Sequence, residues 1–187
     1  MQDMFLARLN RTGPDEGARE KGDTVRISRV AFALAAPVAA LALTAGTATG
    51  SSSKIVVFAA SYSGTATVTV TDTVADISAT GTGKATQLGA GKITGVGKGD
   101  TSAQPCVPFT GPGAMTGTGK NKLTFKVVDG STGCGDEAGQ VFSISGKATV
   151  VKGTGTLAKA RGTLKFTGVY DRSAGTFTVK FKGKLTQ

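Results

Sequence analysis

The sequence predicts an all-β domain of about eight antiparallel strands closed into a barrel, and three observations predict it. Apolar side chains recur at every second residue through most of the chain after residue 49, and clusters of turn residues separate those runs. Gly supplies 28 of the 187 residues and Thr is as common, a composition that disfavours long helices because Gly loses backbone entropy there and Thr is stiff at χ1. One apolar and one polar face per strand also suits a two-sheet sandwich, but closure hides the strand edges and favours the barrel.

From Gly64 to Asp72 the alternation is strict, with Ala66, Val68 and Val70 against Thr65, Thr67, Thr69 and Thr71. It returns in Leu123, Phe125 and Val127 against Thr124 and Lys126, and in Phe142, Ile144, Ala148 and Val150 against Ser143, Ser145, Lys147 and Thr149. Leu164, Phe166 and Tyr170 oppose Lys165 and Thr167, and Phe177, Val179, Phe181 and Leu185 oppose Thr176, Thr178, Lys180, Lys182 and Lys184. Turn residues stand at 129–131, 171–175 and through the Gly-rich stretch 89–99. Strands are therefore expected near 55–61, 64–72, 75–86, 91–97, 114–128, 140–152, 162–170 and 175–186. Gly146, Gly168 and Gly183 interrupt the apolar phase, which marks sharp coiling or close backbone approach. Gly-Thr-Gly recurs 36 residues apart, at 81–83, 117–119 and 153–155, but the intervening residues do not match and the spacing carries no weight.

Residues 1–48 read as a leader and residues 49–187 as a single all-β domain. The apolar run 30–43 follows Arg26 and Arg29 and precedes small residues, the pattern of a secretory signal peptide with its signal helix. Fourteen residues containing Pro37 are too few for a bilayer span, so the membrane is met only during export. The polar stretch before Arg26 is unlike an ordinary n-region, and a translation start at Val25 would give a compact one. The protein is thus expected outside the cytoplasm, secreted or associated with the cell envelope.

The chain has no His and two cysteines, which excludes the commonest zinc, copper and haem ligand sets and the imidazole general base. No cofactor or metal is expected. In an exported chain Cys106 and Cys134 are expected to form a disulfide, joining a Pro-rich loop, 104–109, to an acidic one, 133–137. Loops at a barrel end carry function, so the mouth bordered by Gln104, Phe109, Asp136 and Glu137 is the candidate ligand site. A solvated Asp-Glu pair is also an ordinary turn.

The formal charge is +10, of which +9 lies beyond residue 46. Lys126, Lys147, Lys165, Lys180, Lys182 and Lys184 all fall on the polar phase of their strands and form a candidate basic belt for an anionic envelope polymer. Solubility and edge protection account for the same pattern. Specific nucleic-acid recognition is not expected, since only Arg161 and Arg172 remain after the leader and few aromatics share the polar phase. The Gly-Thr-Gly-Lys tetrads lack the upstream Gly and the following helix of a phosphate loop.

The segment from Lys152 to Leu185, through Gly153, Gly155, Leu157, Ala160 and Gly162, resembles the closing part of the allene oxide cyclase and dirigent barrels, a calycin-like architecture. Those families often place Phe where Leu157 stands. The resemblance implies an eight-stranded antiparallel barrel with an apolar cavity open at one end. Plant members cyclise an unstable epoxide or steer radical coupling, and some bacterial relatives cyclise a substrate by shaping it. No acidic or Asn cluster here matches their functional residues, so none is carried over.

Three functions follow as expectations. The first is non-catalytic binding of a small apolar molecule or an envelope component. The second is a structural or adhesive role at the cell wall through the lysines, and the third is cyclisation by confinement alone, which needs no nucleophile.

Overall fold

The computed structural model describes residues 53–187. The leader, its apolar run and the expected signal helix lie outside the described residues.

The strands are β1 (Ile55–Thr71), β2 (Val74–Ala85), β3 (Gly89–Asp100), β4 (Cys106–Thr116), β5 (Lys122–Val127), β6 (Thr132–Gly135), β7 (Val141–Thr154), β8 (Arg161–Asp171) and β9 (Thr176–Thr186). All pairings are antiparallel, and β1 pairs with both β2 and β9. β5 and β6 occupy one position: each pairs with β4 on one side and β7 on the other, β5 over the lower part and β6 over the upper. The nine strands thus make eight barrel positions, and the sheet closes with no free edge, which excludes the sandwich.

Alternation fixes which face turns inward. Phe58, Tyr62, Leu123, Phe125, Leu164, Phe166, Phe181 and Leu185 are buried, while Lys165, Lys182 and Lys184 between them are exposed. A polar outside around an apolar inside is the reverse of a membrane-spanning barrel, whose outer band is apolar.

Four boundaries differ from the sequence expectation. The segments 55–61 and 64–72 are one strand, because Tyr62 and Ser63 stay in the ladder, opposite Gly83 and Thr82 of β2 and Val179 and Thr178 of β9, and Gly64 lets β1 press against the backbone of Thr80 and Gly81. The segment 114–128 is two, since residues 117–121 turn between β4 and β5. The expected Pro-rich and acidic loops are largely strand: Cys106 opens β4 and Cys134 lies in β6. Pro108 is accommodated because β4 pairs there only with β6, the β3 ladder beginning at Phe109.

The interruption between β5 and β6 is sealed by Ser131, the one buried polar residue among those described. Its hydroxyl donates to the Val128 carbonyl at 2.8 Å and accepts from the Lys147 amide at 3.2 Å. Gly146 makes room for it, since a Cβ there would collide with the Ser131 side chain and the Phe166 ring. Gly168 and Gly183 meet the backbones of Thr178 and Thr163, the close approach expected of them.

One end of the barrel is plugged. Leu88, Leu157 and Ala160 are fully or almost fully buried beneath the strands, joined by Met115, Leu123 and Leu185. Side chains tie the loops of this end together: Thr156 donates to Gln87 O (3.2 Å), the Thr156 amide donates to Asn121 Oδ1 (3.0 Å), Thr154 donates to Lys120 O, and Gln187 donates to Thr156 O (2.8 Å).

Candidate functional site

The other end of the barrel is open and holds an apolar cavity of about 250 Å³. It exists because the two walls differ in side-chain size. β1, β2 and β3 contribute Ala66, Val68, Ala75, Ile77, Ala79 and Gly95, whereas the facing strands contribute Phe109, Phe125, Phe142, Phe166, Tyr170, Phe177 and Phe181. An eight-stranded barrel is just wide enough for ordinary side chains to fill, so a wall in which Ala and Gly alternate with Val and Ile leaves space opposite the rings.

The aromatic wall is held by mutual packing. Phe125 and Phe181 have ring centroids 5.5 Å apart, Phe166 and Phe181 5.6 Å, and Phe109 and Phe166 6.2 Å, all tilted. Phe142 and Tyr170 form a further tilted pair at 6.2 Å nearer the mouth. Two glycines look onto open space: a Cβ on Gly133 would meet nothing within 4 Å, and one on Gly95 only Pro112 O at 3.8 Å.

The mouth is built from turns fixed by Asp carboxylates. Asp100 caps the short 3₁₀ turn Thr101–Ala103, accepting from the Ser102 hydroxyl at 2.6 Å and the Ser102 amide at 3.0 Å, and these bonds hold its carboxyl below the usual range. Asp171 accepts from the Ser173 hydroxyl at 2.7 Å and the Ala174 amide at 3.0 Å, with the same effect. The turns are linked: the Arg172 amide donates to Gln140 O, the Gly135 amide to Pro105 O and the Thr101 amide to Thr73 O. Polar lining is confined mainly to this rim, where Thr101, Gln104 and Arg172 border the cavity.

Of the four residues expected at the mouth, Gln104 and Phe109 line the cavity. Asp136 and Glu137 stand in the β6–β7 turn and do not line it. The Asp136 carboxylate is occupied by the Gln140 and Val141 amides, at 2.8 and 3.2 Å, which shape that turn. The lining has no carboxylate and no thiol. What the arrangement can do chemically is exclude water, stack on flat apolar groups and hydrogen-bond a polar end at the rim.

Cys106 and Cys134 form the expected disulfide and are direct register partners between β4 and β6 near the open end. Such a bond is the form a cysteine pair takes in an oxidising compartment.

The apolar cavity open at one end was expected from the resemblance, but sequence reasoning missed most of its lining. Its signal was present in the small residues at every second position, Ala75 and Ala79 in β2 and Gly95, Gly97 and Gly99 in β3, opposite strands rich in Phe. Ser131 gave no signal, because its role depends on a strand interruption that periodicity does not mark.

No family model, no curated protein and no solved structure matches this chain.

Proposed function

We propose that the barrel is an exported binding protein that holds a compact apolar molecule in its open half, without covalent chemistry of its own. The observation that carries this reading is the pairing of a wall of small and aliphatic residues with a wall rich in Phe around a space of about 250 Å³, while the opposite end is packed solid. A 150 Å³ apolar cavity stays dry and accepts benzene, so a space of this size suits roughly ten to fifteen non-hydrogen atoms. A flat or ring-bearing molecule would stack on Phe125, Phe166 and Phe181, with any polar end at Gln104 and Thr101. The disulfide and the signal-like leader support a place outside the cytoplasm.

Cyclisation by confinement is the second reading. A slot with one aromatic and one small-residue wall favours a single folded conformer of a flexible substrate, and such catalysis requires positioning alone. The likeness of the 152–185 segment to allene oxide cyclase and dirigent barrels supports it.

Native mass spectrometry of protein purified from its own host's medium tests the binding reading. The expected result is a retained, uncharged or weakly polar molecule of about 150–250 Da, from the size estimate above. Protein that carries nothing, and that binds no member of a panel of small aromatic and terpenoid compounds, would overturn it.

A further inference from the structure

The strand register brings three of the lysines into a single row. Lys147 is the direct partner of Lys165 across β7 and β8, and Lys165 is the direct partner of Lys182 across β8 and β9. All three are exposed. On β9 the row is crossed by Lys180 and Lys184, two residues either side of Lys182, and Lys126 on β5 pairs with Thr149, two residues along from Lys147. At about 4.8 Å between strands and 3.4 Å per residue, the cross measures roughly 10 Å by 14 Å.

No acid offsets these charges. The other register partners of the six lysines are Ser61, Ala59, Val57, Pro112, Thr149, Thr163 and Thr167. Among the described residues the one salt bridge joins Lys98 to Asp76, on β3 and β2. The acids sit in or beside the open-end turns, at Asp72, Asp76, Asp100, Asp136, Glu137 and Asp171, and Asp129 stands in the turn between β5 and β6.

Like charges placed directly opposite each other on neighbouring strands are destabilising, and solubility needs lysines on the surface but not in a row. We infer that the β7–β9 wall, with Lys147, Lys165 and Lys182 at its centre, is a docking surface for a flexible linear polymer of phosphate groups. Charge complementarity selects an anion. Lys binds phosphate as a compact point charge with three donors, and the row contains no Arg, whose fork pairs bidentately with carboxylate and phosphate alike. The exposed hydroxyls of Thr163 and Thr167 between the lysines add further donors. The wall of a barrel is convex, so a flat bilayer or a stiff duplex touches it along a line, while a flexible chain follows it from β5 to β9. The inference is independent of the cavity, which opens at the end of the barrel.

The test is binding of fluorescently labelled long-chain inorganic polyphosphate to the whole exported domain at 50 mM and 200 mM salt. Native protein is expected to bind at the lower salt and to lose at least tenfold in affinity at the higher. K147Q/K165Q/K182Q is expected to bind at least tenfold more weakly than native, whereas K84Q/K92Q/K120Q, which removes the same charge from β2, β3 and the β4–β5 turn, is expected to lose less than threefold. Equal losses in the two triple variants would overturn the inference, since binding would then follow net charge alone. Tighter binding to phosphatidylglycerol vesicles, to duplex DNA or to a carboxylated polysaccharide would also overturn it. A stability readout guards against misfolded variants: K165Q is expected to melt above native protein at low salt, and an unchanged or lower melting temperature would contradict the repulsion on which the row was argued.

Discussion

Cys106 and Cys134 face each other across the β4–β6 ladder, so their disulfide fastens the upper piece of the interrupted strand to its neighbour beside the cavity mouth. β6 has only four residues and shares that barrel position with β5, so few ladder bonds hold it without this link.

Replacing both cysteines by serine is therefore expected to cost about 3–4 kcal/mol, the chain-entropy value for closing a loop of this length. Urea denaturation checks the total. Hydrogen exchange checks the place: amides of β6 and the adjoining part of β4 should lose protection, while β1, β8 and β9 keep theirs.

The glycines divide into two classes with opposite outcomes. Gly133→Val and Gly95→Val place methyl groups into the cavity, where the positions are open, and are expected to fold with native or higher stability while abolishing uptake of small apolar probes. Gly81→Val points a side chain at the Ser63 carbonyl and the Phe177 ring, and is expected to destabilise by about 1–3 kcal/mol or more, as overpacking does. Thermal melts with a hydrophobic fluorophore separate the two classes.

How much of this was legible in the sequence depends on whether a feature is local. Inward and outward phases followed from alternation, and residues such as Phe166 and Lys165 lie on the faces it assigned them. The eight barrel positions were right for offsetting reasons, while the ninth strand, β6, was read as loop: β1 was divided at residues 62–63, and the turn at 117–121 was run through, joining the end of β4 to β5. Residues 62 and 63 continue the ladder opposite Gly83 and Thr82 of β2, and that pairing lies in the neighbour strand. The resemblance implied a cavity open at one end, but most of its lining was not identified, because residues such as Ala79 and Phe125 share a space only once the barrel has closed. At the candidate mouth, Gln104 and Phe109 border the cavity, while Asp136 does not line it and accepts from two amides of its own turn through Oδ1.

Ser131→Ala is expected to cost about 1–3 kcal/mol, because it leaves the buried Lys147 amide and Val128 carbonyl without their partner. At the closed end Leu157→Ala is expected to cost about 2–5 kcal/mol, the range for emptying a fully buried leucine site. Denaturant titration checks both. Loss of the plug should also raise uptake of apolar probes, since it opens the packed half to the cavity.

Tyr62 is 2% exposed and its hydroxyl has no hydrogen-bond partner. Tyr62→Phe is expected to be neutral or stabilising by up to about 1 kcal/mol, since it removes an unsatisfied polar group. Burial raises the Tyr62 pKa above the ordinary phenol value, so in alkali the unfolded chain ionises first. Native stability should then fall as pH rises through the unfolded pKa toward the folded one, and Tyr62→Phe should lack that component. The advantage of the variant therefore widens between pH 8 and pH 11 in parallel urea titrations.

The most direct measurement of the central claim is a crystal structure of the domain under xenon pressure. Xenon is expected in the upper half of the barrel, between Ile93 on one wall and Phe125, Phe166 and Phe181 on the other, with no ordered water beside it. A chain of hydrogen-bonded waters in that space, or side chains meeting across it with no xenon bound, would contradict a dry binding cavity.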